Sequence, residues 1–235
     1  MLQLIISLIP FLVILFVLWF KYGKNKNLLN IIFWGFISMI VTLILNIPLQ
    51  NVFNSNLFLK YLVTAGIIEE LMRLYSTKLS KSQSKNELIY NIFMISAVFT
   101  SLEDYCYYDG EVETLFYRCF SPMHLFFALI MVILLCKAYD NRITNKNKSN
   151  IYKVLAFIVP AIIHGYWDYS LVSVNNYSNF YNILILASVL GYLLPIIYIL
   201  VKVKPNENNE VIKVSIWKKI IVIVFGLMVL IGFHV

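Results

Sequence analysis

Gly66-Ile67-Ile68-Glu69-Glu70-Leu71-Met72-Arg73 sets two adjacent carboxylates and a guanidinium inside an apolar run long enough to cross a bilayer. A charge at the bilayer centre costs about 2.5 to 3.5 kcal/mol on insertion scales, so such side chains face a bundle interior or a water-filled cavity. On a helix Glu69 stands four residues and Glu70 three residues before Arg73, both within reach of the guanidinium. One carboxylate can be held in an ion pair while the other stays available for chemistry. The stretch predicts an all-α membrane protein with a polar interior.

The rest of the chain agrees. Of 235 residues, 60% are hydrophobic and only 13% charged, and the mean hydropathy is +0.79. Soluble domains carry about a quarter charged residues. The fold class expected is a polytopic helix bundle of about eight transmembrane helices, in one domain over residues 1–235 with a catalytic core at about 57–174. The net charge of +7 does not point to nucleic acid. Lys and Arg sit in short connections, where they set orientation, and no basic patch with interleaved aromatics stands apart from them.

In chain order the expected spans cover about residues 2–20, 28–49, 57–79, 88–108, 115–138, 154–174, a seventh ending near 201, and a short eighth at 220–235. Basic residues follow the first, third, fifth and seventh spans; the segment 139–153, with Arg142, Lys146, Lys148 and Lys153 among Asn and Ser, reads as a flexible inner loop. Loops 50–56 and 175–179 carry no charge, and 109–114 is acidic. The alternation predicts a multi-pass protein of the cell membrane with both termini extracytoplasmic. Of the three cysteines, Cys106 and Cys119 flank one short loop and could pair on an oxidising face, and none has metal-site spacing.

Acid–base groups concentrate in spans three to six. Ser96, Thr100, Glu103 and Tyr107 form one stripe on the fourth helix, Ser121, His124 and Ala128 share a face of the fifth, and Pro160, His164 and Asp168 share a face of the sixth. Asp104 reads as a loop-end or secondary residue. Glu69 and His164 fall near the midplane, and Glu103 and His124 nearer the outer boundary, so a cavity opening outward is expected.

These motifs, Glu69-Glu70-x-x-Arg73, Phe99-x-x-x-Glu103, Arg118 ahead of Pro122-x-His124, and Pro160-x-x-x-His164-Gly165-x-x-Asp168, resemble those of the PrsW intramembrane proteases, within the wider group that includes the CAAX prenyl endopeptidases. The likeness covers roughly residues 60–170; Arg73 stands where the family often has Lys, and Asp104 where it often has Asn. It implies hydrolysis of a peptide bond inside the membrane, in a single-span membrane protein such as an anti-sigma factor. The chemistry needs a base for water, donors for the tetrahedral intermediate and a proton for the leaving amine. Glu69 is the expected general base and His164, oriented by Asp168 or by a partner on another helix, the oxyanion donor. Glu103 and His124 would hold the water or move the proton, and Glu70 with Arg73 would brace the third helix.

A zinc site built from Glu69, Glu103, His124 and His164 is the alternative. No HExxH helix is present, and the resemblance is to a group described as glutamic proteases, so the sequence favours the route without a cofactor. A proton or cation transporter, or a membrane immunity or scaffold protein, are the readings from other classes. The first would bring broken helices and internal repeats, neither of which is evident, and the second would tolerate loss of motif residues that are all present.

Overall fold

In the computed structural model, the structure describes residues 2–53, 55–106, 110, 112–173 and 186–204. Among the described residues every regular element is helical. They are α1 (Leu2–Ser7), α2 (Ile9–Tyr22), α3 (Leu28–Val52), α4 (Leu57–Tyr61), a π-helical segment (Leu62–Glu69), α5 (Glu70–Leu79), α6 (Lys85–Cys106), α7 (Val112–Phe120), α8 (Met123–Asn141), α9 (Lys146–Ser173), a second π segment (Val189–Leu193) and α10 (Leu194–Lys202).

Four stretches are long and apolar enough to cross a membrane: Leu2–Tyr22, Leu28–Leu49, Thr114–Asn141 and Lys146–Ser173. The expected count of about eight is therefore only partly met. Two more helical runs, 57–79 and α6, have spanning length but carry the charges of the interior. The apolar helix Leu186–Lys202 is shorter, and the eighth span and the loop at 175–179 lie outside the described residues.

α6 is the central helix, packed by α2, α3, α5 and α8. Phe93, Met94 and Ile95 on α6 join Ile14 and Leu18 of α2 and Leu125 and Val132 of α8 in a closely packed core. In lipid, apolar burial itself gives helices little reason to associate, so close backbone approach matters more. Gly66 and Gly165 supply it. A Cβ on Gly66 would lie 2.3 Å from the Ala161 carbonyl oxygen, and one on Gly165 would lie 2.6 Å from Leu62 Cα. The π segment and α9 are thus locked together backbone to backbone, one turn from Glu69 on one side and beside His164 on the other.

Three expectations about the elements change. The run 57–79 is continuous, but its middle is π-helical rather than α-helical, a rare form that is frequent at functional sites. The fifth span is broken at Ser121-Pro122: proline, lacking an N–H, closes α7 and stands at the N-cap of α8, putting His124 in that helix's first turn. The segment 139–153 is not a flexible loop. α8 runs to Asn141 and α9 begins at Lys146, because Asn145 Oδ1 accepts from Lys148 N (2.9 Å) and Ser149 Oγ donates to the Ala138 carbonyl (2.8 Å).

Candidate active site

The site forms where the end of the π segment, the start of α5, the end of α6, the start of α8 and the outer half of α9 converge. Arg73 is the brace. Its side chain is 1% exposed, pairs with Glu70, donates from Nη1 to the His124 carbonyl oxygen (3.1 Å) and lies 5.3 Å over the Phe99 ring. That one side chain ties α5 to α6 and α8. The brace expected from Glu70 and Arg73 is present, and Glu70 does more: its Oε1 also meets His164 Nδ1 at 2.9 Å.

An ionised carboxylate can only accept, so the ring nitrogen facing it carries the proton. His164 Nδ1 has two neighbours, Glu70 Oε1 at 2.9 Å and the Arg73 Nη2 donor at 3.3 Å; the shorter contact assigns the proton to Nδ1, toward Glu70, and leaves the Nε2 lone pair to face Glu69 Oε2 at 3.8 Å. His124 repeats the arrangement in reverse. Its Nε2 is held by Glu103 Oε2, and its Nδ1 faces the same Glu69 oxygen at 4.0 Å. Both Glu69 Oε2 and His124 Nδ1 are buried and lack a hydrogen-bond partner among the described residues. Ligand atoms of Glu69, His124 and His164 all lie within 4.8 Å of one another. The two rings stand at 82° with centroids 4.8 Å apart, and Phe127 stacks on His164 at 4.4 Å.

Glu103 is fixed from behind. Arg118 on α7 reaches its Oε1 with Nη2 (3.3 Å) and Asp104 Oδ1 with Nε (3.1 Å). Asp104, read from sequence as a loop-end or secondary residue, is buried in this ion pair. Glu103, expected as a fourth ligand in the zinc alternative, lies against the nitrogen of His124 that points away from Glu69, outside the group formed by Glu69, His124 and His164. Asp168 lies 3.7 Å from His164 Nε2 with its side chain 30% exposed, while the orientation of the ring comes from Glu70. Ser96 and Thr100 are buried as the stripe predicts, with Thr100 Oγ1 returned to the Ser96 carbonyl; Tyr107 lies outside the described residues. Cys106 and Cys119 are both free thiols, the first exposed and the second buried.

A cavity of about 690 Å³ opens onto this cluster, lined by Glu69, Glu103, His124, His164 and Asp168 and walled by Tyr61, Phe127 and Trp167. Asn46 of α3 also lines it, and the sequence reading passed over that residue. The available signal was Ser38, Thr42 and Asn46 at four-residue spacing on an otherwise apolar helix. Even counting Lys60 at the cavity, the carboxylates Glu69, Glu70, Glu103, Asp104 and Asp168 outnumber the cations Lys60, Arg73 and Arg118 by two.

Two buried imidazoles turned on one carboxylate, with a carboxylate behind each ring, are donor types that could hold a divalent cation. A family profile described as PrsW family intramembrane metalloprotease matches residues 24–200. The chain belongs to the PrsW family. Its charged run 66–73, both histidines and the carboxylates behind them all fall inside the matched region. The chain is also similar to Protease PrsW of Clostridioides difficile (strain 630), 28% identical over 154 residues, an alignment that covers 59% of this chain and 63% of that protein. The chain thus spans less than two thirds of that PrsW relative's length. No solved structure matches.

Proposed function

We propose that this PrsW-family chain is a metal-dependent peptide hydrolase of the cell membrane that cuts a single-span membrane protein near its extracytoplasmic end. The observation that carries the metal is the paired tautomer lock: Glu70 and Glu103 each hold the far nitrogen of a histidine whose near nitrogen faces the unpartnered Glu69 Oε2. Zinc suits two imidazoles and a carboxylate, and the excess negative charge of the cluster favours a divalent cation. When bound, such an ion polarises a carbonyl and makes water a nucleophile at neutral pH.

In this reading Glu69, His124 and His164 are ligands. Glu70 and Glu103 keep each ring in the tautomer that offers a lone pair, and Arg73 and Arg118 hold those two carboxylates in place. Asp168, next to His164 and partly open to the cavity, is the group able to accept a proton from water and return it to the leaving amine. Phe127 and Trp167 keep the walls apolar.

A second reading keeps Glu69 as general base without a metal. The 3.8 and 4.0 Å separations from its Oε2 to the two histidines leave room for a bridging water, which supports it. Isothermal titration of zinc into the purified, chelator-treated full chain separates the two. One zinc bound by wild type, and loss of binding in Glu69→Gln and His164→Ala, is the expected result. No binding by wild type would return Glu69 to the role of base.

The orientation rests on loop charge. Lys78, Lys81, Lys85 and Arg142 gather at the end of the bundle away from the cavity, which supports an extracytoplasmic opening and both termini outside. A single-span protein such as an anti-sigma factor fits that access.

A further inference from the structure

We propose that Asn46 holds the backbone of the substrate segment in the cavity, as a peptide-binding residue on the wall formed by α3. This rests on the hydrolase reading above. Asn46 is 4% exposed and lines the same cavity as Glu69, His124 and His164, and its Oδ1 has no hydrogen-bond partner among the described residues. Asparagine inside a membrane normally hydrogen-bonds a neighbouring helix. This one does not, although α3 packs directly against the π segment that ends in Glu69.

A carboxamide presents the same pair of groups as a peptide unit, one carbonyl acceptor and one N–H donor. A membrane span enters as a helix with its backbone groups satisfied internally, and hydrolysis requires that helix to open at the cut. Each opened residue then exposes N–H and C=O where no bulk water is at hand, and those groups need partners on the enzyme. Two threonine hydroxyls on the cavity wall are already donating to their own helices: Thr64 Oγ1 to the Lys60 carbonyl (2.7 Å) and Thr100 Oγ1 to the Ser96 carbonyl (2.8 Å). Asn46 offers an unused acceptor and donor together, at the wall an opened strand must pass.

The test uses the full chain carrying Glu69→Gln, so that bound peptide is not consumed, with and without Asn46→Ala. The probe is a fluorescein-labelled peptide of about 20 leucines and alanines, the length that spans a bilayer, with a central Gly-Ser pair to weaken the helix. A matching set replaces one central amide at a time by an ester. Asn46→Ala should weaken binding of the all-amide peptide about tenfold. One ester position should weaken binding to the Asn46 chain and have no further effect once Asn46 is alanine. Thermal unfolding of the Asn46→Ala chain should occur at the same temperature or higher, since an unpartnered amide has been removed. Equal affinity of the two chains, including no saturable binding to either, would overturn the proposal, as would a loss that falls equally on every ester peptide and tracks a lower unfolding temperature. Cleavage of the same peptide by wild type is read in parallel: Asn46-dependent binding with no cleavage would overturn the hydrolase reading instead.

Discussion

Glu69, Glu70 and Arg73 were legible as residues because ionisable groups inside an apolar span have few structural excuses. Their division of labour was not. Whether Glu70 serves Arg73 or His164 depends on how α9 approaches α5, and it serves both. Asn46 stayed hidden because one amide in an apolar helix does not declare which neighbour its face meets. At this scale the carboxylates behind the histidines carry the sharpest prediction. Glu70→Gln and Glu103→Gln keep the shape but can present an amide N–H to the ring, and each should weaken zinc binding about 10- to 100-fold, read by titration calorimetry. Unchanged affinity in both variants would mean that the rings are oriented by something else. Arg118→Gln should act in the same direction through Glu103 and more weakly, since it touches neither histidine.

The long elements follow from hydropathy, and their internal breaks do not. The eight residues Leu62–Glu69 are apolar or small in every position before Glu69, so they show no period by which a π turn could be told from an α turn. The break at Ser121-Pro122 had a signal in the proline itself, but the apolar residues on both sides concealed it. The small residues at the crossing of the π segment and α9 are the element-scale device that aligns Glu69 with His164. Adding a methyl group at Gly66 or Gly165 must push backbone against backbone, with a cost of about 1 to 3 kcal/mol for overpacking. Gly66→Ala and Gly165→Ala should lower the unfolding temperature in detergent and reduce zinc affinity together. Gly35→Ala, whose nearest neighbours are the Val98 side chain and the Ile95 carbonyl of α6, should lower stability with less effect on zinc. Equal zinc affinity in all three would separate the crossing from the site.

Across the whole molecule, composition indicated a membrane bundle at once, while the number of crossings was harder to read because two of the runs that build the site, 57–79 and α6, carry its charges. α6 has fourteen buried residues and carries Glu87, Glu103 and Asp104, so it resembles the core of a soluble protein more than a lipid-facing span. Orientation is testable by cysteine labelling in a background without Cys106, Cys119 and Cys136. A membrane-impermeant maleimide should label Ser55→Cys in intact cells and Thr144→Cys only after permeabilisation, and the opposite pattern would invert the topology. The central claim joins the bundle, the histidine pair and Glu69 in one activity, and cleavage of a single-span reporter by the purified full chain tests it most directly. Cleavage should be lost on chelation, return with added zinc and be absent in Glu69→Gln and His164→Ala at unchanged yields of folded protein. Cleavage by wild type that persists through chelation, or that survives either substitution, would contradict it.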